Sequence, residues 1–304
     1  MSRLRNPATG RTYWWAEAVI LISVYYLYTA TRGVADSSES RAIQIGWDIL
    51  HAQEALGLDI ELGLNRWLQS VPVLAVICCY YYATLHFIVT PGVLFWMHRR
   101  HPGVYSRVRW TIVFTTLICL VGFFLFPTAP PRLLPGAPYT DTMAYFENWG
   151  WWSGNASAAP DGLDGLANQY AAMPSLHCAW ALWCGILLFR FARSRVVRVI
   201  GVLYPAATLF VVMATSNHYI LDGFAGWAVL GVAAVAARAL TARAAASANA
   251  TDTADVTGAA NVTGAADMTD TADTGRPGEA AVAEAACPAP AAGRGRATPP
   301  PDVD

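Results

Sequence analysis

Long apolar runs, separated by connections that are alternately rich in arginine and in acidic residues, dominate the pattern of this chain. Runs of about 20 apolar residues, the length a helix needs to cross a hydrocarbon core, lie at Trp14 to Thr31, Val71 to Met97, Trp110 to Pro127, Met173 to Phe191, Val196 to Thr215 and His218 to Leu240. They predict an all-α fold, a polytopic bundle of six transmembrane helices. Between the first two runs, Ile49, Leu56, Ile60, Leu64, Trp67 and Leu68 recur at helical intervals, with Asp48, Glu54, Glu61 and Arg66 between them. That spacing predicts an amphipathic helix on the outer membrane surface, packed against the bundle.

After Arg243 the pattern stops. Thr-Asp-Thr-Ala-Asp occurs at 251–255 and again at 269–273, and Val-Thr-Gly-Ala-Ala at 256–260 and 262–266, before an end rich in Pro, Ala and Gly. Such a segment has too little apolar bulk to offset its ordering entropy. The chain therefore divides into a cytoplasmic N-terminus (1–13), a six-span catalytic body (14–243) and a disordered low-complexity cytoplasmic tail (244–304). Arg3, Arg5 and Arg11 resemble the basic start of a signal peptide, but no small-residue cleavage site follows the first run, which reads as a retained signal-anchor span.

Composition agrees with a membrane setting, at 55% hydrophobic and 13% charged residues. No nucleic-acid partner is expected. The arginines then orient the bundle. Arg3, Arg5 and Arg11 precede the first run, Arg99, Arg100, Arg107 and Arg109 fill the second connection, Arg190, Arg193, Arg195 and Arg198 the fourth, and Arg238 and Arg243 follow the sixth run. The positive-inside rule makes these regions cytoplasmic, with both termini inside the cell membrane. The other connections lie outside and carry Asp36, Glu39, Asp141, Glu147, Asp161 and Asp164.

On this topology two histidines, His177 and His218, start spans that both run from outside to inside, so both sit at the outer level. Ionisable groups at such positions are costly unless used. His218 and Asp222 are four residues apart, one turn on one helix face. A histidine can attack phosphorus through one ring nitrogen if a carboxylate holds the other, fixing the tautomer and stabilising the cation that forms. His177 supplies a general acid for the leaving alcohol. Pro174 and Ser175 before it mark a helix start whose amides attract phosphate oxygens. Arg132, the only arginine in the long outer loop, supplies a guanidinium for the phosphate. Asn217, Tyr219 and Ser175 are further candidates for phosphate contacts. No lysine occurs anywhere, which excludes lysine chemistry. The cysteines Cys78, Cys79, Cys119, Cys178, Cys184 and Cys287 read as small apolar fillers, and neither a metal site nor a cofactor is expected. His86, beside Tyr80, Tyr81 and Tyr82, reads as a packing histidine or as lining of a headgroup pocket.

In Ala129-Pro130-Pro131-Arg132, Pro174-Ser175-Leu176-His177 and His218-Tyr219-Ile220-Leu221-Asp222 the chain resembles the phosphatidic-acid-phosphatase type 2 (PAP2) superfamily. It is most similar to the branch holding inositol-phosphorylceramide synthases and related inositolphosphotransferases. The resemblance implies that His218 is the nucleophile forming a phosphohistidine, that His177 protonates the leaving group and that Asp222 orients His218. Where the superfamily's phosphatases carry a lysine, a proline, a glycine and an arginine, this chain has Leu125, Leu133, Leu176 and Val212. These departures point toward the inositolphosphotransferase-like branch.

The expected function is thus an integral-membrane phosphatase or phosphotransferase. Its substrate is a lipid phosphate or phospho-headgroup, its acceptor water or an alcohol, and it works from the outer face. The alternative is a catalytically silent lipid-binding or transport protein on the same scaffold.

Overall fold

The computed structural model describes residues 39–152 and 169–267, with side chains as far as Ser247, together with Trp15, Val19, Ile22 and Ser23. Within these residues the chain forms helices α1 (Glu39–Leu56), α2 (Glu61–Gln69), α3 (Pro72–Arg100), α4 (Pro102–Leu125), α5 (Leu176–Phe191), α6 (Arg195–Ala214) and α7 (Ile220–Asp267). The expected first span, 14–31, falls almost wholly outside the described residues. So does the tail beyond Asp267, whereas α7 itself continues through 244–267, a stretch whose composition predicts disorder.

Among the described residues four helices are long and apolar enough to cross a membrane: α3, α4, α6 and the Ile220–Ser247 part of α7. Proline opens both α3 and α4 at the first turn, where its missing N–H costs nothing. Helix α5 is apolar but only 16 residues long, about 24 Å against a hydrocarbon core of about 30 Å.

Helices α5 and α6 form an antiparallel hairpin whose crossing is set by glycine. A Cβ on Gly185 would lie 2.4 Å from the carbonyl oxygen of Gly201, and one on Gly201 would lie 2.9 Å from that of Gly185. Without side chains at these two positions the backbones touch, as small residues permit between membrane helices. The hairpin brings the start of α5, with His177, level with the end of α6 and the joint that follows it.

The polar-apolar pattern of 48–68 has a different structural meaning from the single surface helix it predicts. Gly57, at φ +66, ends α1: its amide donates to the Glu54 carbonyl and the Leu58 amide to that of Gln53. This left-handed cap, which glycine adopts without a Cβ penalty, breaks the stretch into α1 and α2. The inward face is also mixed: Leu68 is fully buried, as the pattern predicts, but several apolar residues face out and polar ones face in. Leu56, Ile60 and Trp67 are 65%, 49% and 48% exposed, whereas Gln53, Glu61 and Asn65 are fully buried.

Those three polar residues bond to helix ends. Glu61 Oε1 accepts from the Ile220 amide at 2.6 Å and from Gln53 Nε2 at 3.0 Å, and Gln53 Oε1 accepts from the Leu221 amide at 3.2 Å. They therefore satisfy first-turn amides of α7, which have no partner within their own helix. Asn65 Nδ2 donates to the Ala214 carbonyl at the end of α6 (3.0 Å) and to the Thr140 carbonyl (3.1 Å), while its Oδ1 accepts from the Thr140 amide (2.9 Å). Three side chains from α1 and α2 thus tie the α6–α7 joint and the loop between α4 and α5 to these two helices.

Burial raises the Glu61 carboxyl above its ordinary value, against the bonds from Ile220 and Gln53 that favour the anion. A carboxyl raised on folding contributes its full stability below the ordinary value of 4.5 and loses it as pH climbs toward the folded-state value. Glu61→Gln keeps an acceptor for Ile220 but carries no charge. In detergent, its thermal midpoint relative to wild type should rise with pH above that range, and Glu61→Ala should lose roughly 1–3 kcal/mol at any pH by orphaning a buried amide. A wild type that gained stability relative to Glu61→Gln over the same rise would contradict the burial argument.

Candidate active site

The chain leaves α6 through a backbone turn that places the next four residues. The Ser216 amide donates to the Met213 carbonyl at 2.9 Å, and those of Asn217 and His218 to the Val212 carbonyl at 3.0 and 3.1 Å. The turn needs a left-handed residue, and it is Ser216, at φ 59, in a place where glycine is usual. Ser216 is wholly buried, and its hydroxyl has no partner among the described residues. A non-glycine residue held there, with an orphaned hydroxyl, marks a strained site.

His218 follows at the mouth of α7. Its Nδ1 lies 2.9 Å from the Ala172 carbonyl and 3.2 Å from Asp222 Oδ2. Both neighbours are acceptors, so Nδ1 carries the hydrogen and Nε2 keeps the lone pair. Ala172 is delivered by a short parallel bridge: the Thr128 amide donates to the Tyr170 carbonyl and the Ala172 amide to the Thr128 carbonyl. Asp222 is fully buried, and its Oδ2 also accepts from the Tyr219 amide at 2.9 Å. The expected pair of one helix turn therefore forms, with a carbonyl from a distant segment as an additional partner.

His177, the second residue of α5, lies with its ring centroid 5.6 Å from that of His218. Tyr82 of α3 stacks on its other side at 4.5 Å and 26°. Its Nε2 is enclosed without a hydrogen-bond partner among the described residues.

Arg132 sits in a single 3-10 turn, Pro131–Leu133, whose amide at Arg132 donates to the Ser216 carbonyl. Its Nε donates to Asn217 Oδ1 at 3.0 Å and its Nη1 to Asp141 Oδ2 at 2.9 Å. Asp141 is itself fixed as the cap of the short turn Thr142–Tyr145. The guanidinium is thus aimed by two partners, and Nη2, which has no hydrogen bond among the described residues, can meet an anion.

The sequence profile of the PAP2 superfamily matches residues 47–236, most of the chain. The chain belongs to the PAP2 superfamily. Membership points to phosphatase-type chemistry at a membrane. No curated protein and no solved structure matches the chain.

Within this PAP2 protein the structure brings His177, His218, Asp222, Arg132 and Asn217 to one place. Two expected phosphate contacts serve the scaffold instead. The Tyr219 side chain is fully buried and its hydroxyl donates to the Ala129 carbonyl at 3.1 Å. Ser175 caps α5 by accepting from the Cys178 amide at 3.4 Å, and its own amide donates to the Asp222 carbonyl at 2.9 Å. Asn217 orients Arg132 through its Oδ1, and its own Nδ2 is held by Thr215 Oγ1 at 2.9 Å.

Sequence reasoning missed Asp141, Gln53, Glu61 and the Ala172 carbonyl. Asp141 has the right charge in the right loop, but nothing in spacing ties it to Arg132. Gln53 and Glu61 were visible as polar residues within an apolar period, which reads as a solvated face when the helix is assumed continuous.

Ser216 supplies a test of the joint. Ser216→Gly should leave the thermal midpoint unchanged or higher, since it removes left-handed strain. Ser216→Val, β-branched in that region, should cost roughly 2 kcal/mol. Equal effects of the two substitutions in differential scanning calorimetry would show that the turn is not strained.

Proposed function

We propose that this PAP2 protein is an integral-membrane lipid phosphatase or phosphotransferase that works through a phosphohistidine at the outer membrane face. The observation that carries the reading is the His218 ring, whose Nδ1 is committed to Asp222 and the Ala172 carbonyl so that Nε2 presents its lone pair beside His177.

In the first step His218 Nε2 forms a bond to phosphorus as the bond to the leaving alcohol oxygen breaks. His177 gives that oxygen a proton. Asp222 and the Ala172 carbonyl stabilise the Nδ1–H as the ring becomes cationic. Arg132, aimed by Asn217 and Asp141, binds phosphate oxygens through Nη2, where a guanidinium fits best. In the second step water or an alcohol attacks phosphorus, gives its proton to His177 and frees His218. The first acceptor makes the protein a hydrolase and the second a transferase.

Leu125, Leu133, Leu176 and Val212 remove phosphate contacts that the superfamily's phosphatases have, and they favour the inositolphosphotransferase-like branch. The distribution of arginines supports a plasma-membrane protein with cytoplasmic termini and an extracytoplasmic site.

Mass spectrometry of products decides the reaction. Purified protein is given phosphatidic acid, a prenyl diphosphate or phosphatidylinositol, each with and without a lipid alcohol: free phosphate marks a hydrolase and a new phosphodiester a transferase. His218→Ala should form neither product nor an acid-labile phosphoenzyme. Asp222→Asn should lower turnover by about 10²- to 10⁴-fold, since an amide cannot stabilise the imidazolium. Among the described residues no three His, Cys, Asp or Glu side chains gather as metal ligands, and EDTA should leave turnover unchanged. Acid-labile phosphate trapped on His218→Ala would overturn the reading.

Orientation has its own check. A cysteine replacing Pro138, an exposed residue of the loop that carries Arg132, should react with an impermeant maleimide on intact cells lacking Cys287. Labelling only after the cells are opened would place the site on the cytoplasmic side.

A further inference from the structure

Helix α3 is not a regular α-helix throughout. Between Pro72–Tyr80 and His86–Arg100 it runs as a π-helix over Tyr81–Leu85, a widened turn that is rare and is frequently found at functional sites. Its consequence is at His177. Tyr82, within the π turn, stacks on the His177 ring, and His86, immediately after it, meets the same ring edge-to-face with centroids 4.3 Å apart. A third histidine therefore touches the general acid of the proposed reaction.

Each of the two histidine rings in this contact has an enclosed nitrogen without a hydrogen-bond partner among the described residues, Nε2 of His177 and Nδ1 of His86. His177 as a whole is only half-buried, yet its Nε2 is enclosed. An unsatisfied ring nitrogen is costly in such a place. Next to it is a cavity of about 10 Å³, room for one water molecule, lined by both histidines and by Tyr81, Tyr82, Tyr204 and Thr208. The cavity wall is mostly apolar, with Val211 and Val212 on it, and two of its hydroxyls are already bonded to one another. Tyr81 and Thr208 share a hydroxyl–hydroxyl bond of 2.8 Å, and Thr208 Oγ1 also donates to the Tyr204 carbonyl at 2.9 Å. The two polar partners that a water there needs are the two orphaned ring nitrogens, His177 Nε2 and His86 Nδ1.

We propose that His86 is a positioning residue for His177, acting through a water in this cavity that accepts the His177 Nε2–H and donates to the His86 imidazole. The inference rests on the proposed role of His177 as general acid. With Nε2 anchored, His177 is fixed in the tautomer that leaves Nδ1, the nitrogen that is not enclosed, bare for the reacting groups. In the cationic form Nδ1 gives its proton to the leaving oxygen as the phosphorus–oxygen bond breaks, and the ring becomes the neutral Nε2–H tautomer. The attacking water or alcohol returns a proton to Nδ1 in the second step, so the cycle balances and His86 neither gains nor loses a proton. The other titratable groups facing His177 are Tyr82 on α3 and His218, with Asp222 behind it, at the α6–α7 joint; across the cavity stand Tyr81 and Tyr204.

The tautomer is directly readable by ¹⁵N NMR of the full chain, labelled on histidine and held in lipid nanodiscs, with His177 assigned by its loss in His177→Asn. Wild-type neutral His177 should show a protonated Nε2 and a bare Nδ1. His86→Phe, which keeps the ring but removes its nitrogens, should lose that preference, and His86→Gln should restore it. His218 should keep its Nδ1–H signature in both variants, which shows that the site is folded. In kinetics His86→Phe should lower kcat by about tenfold with dioctanoyl phosphatidic acid, part of what a general acid contributes. It should change KM little, and should barely affect p-nitrophenyl phosphate, whose leaving group needs no proton. A His177 ring protonated at Nδ1 in the wild type, or unchanged in His86→Phe, overturns the proposal. If instead His177→Ala slows both substrates equally, it is the general-acid reading that fails, and the role of His86 fails with it.

Discussion

The structure depends on how it satisfies two helix ends brought together inside a membrane protein. At the joint 215–219 one helix stops and another starts, exposing the last carbonyls of α6 and the first amides of α7 to surroundings that offer little water. Such groups cost several kcal/mol each when left unpaired in an apolar medium. Gln53 and Glu61 take the amides of Leu221 and Ile220, Asn65 takes the Ala214 carbonyl, and the Tyr219 amide goes to Asp222. The candidate site residues sit on this joint or against it.

One consequence is that stability and chemistry use the same atoms. Asp222 Oδ2 closes the first turn of α7 and also holds His218 Nδ1. Asn217 ties back the turn after α6 and also aims Arg132. The loop between α4 and α5 likewise has two duties, since Asn65 anchors it at Thr140 and Asp141 then aligns the guanidinium. Bonds made in this way orient the candidate groups in advance, as the proposed phosphoryl transfer requires.

The glycine crossing of α5 and α6 sets the distance between the histidines. With the backbones in contact at Gly185 and Gly201, the start of α5 and the end of α6 are forced to one level, and two residues far apart in sequence face each other with ring centroids 5.6 Å apart. The π turn in α3 then closes the third side of His177 with Tyr82 and His86.

Sequence alone determined what hydrophobic period and local spacing control. The apolar runs that become α3, α4, α6 and α7 are legible because the length of a membrane crossing is a property of consecutive residues. His218 and Asp222 are legible as a pair because four residues is one helix turn, whatever surrounds it. Tertiary structure alone decided the rest, since those contacts join residues whose separation in sequence carries no period. Helix α1 was read together with α2 as one surface helix because the alternation of 48–68 fits that period. Only packing shows that Gln53, Glu61 and Asn65 turn inward, where the unpaired helix ends outweigh the cost of burying polar side chains. Tyr219 and Ser175 look like phosphate ligands from their place in the motifs, yet the fold uses their groups on Ala129, Cys178 and Asp222. A motif fixes which residues are near phosphate, but which of their donors remain uncommitted depends on every other buried group that needs a partner.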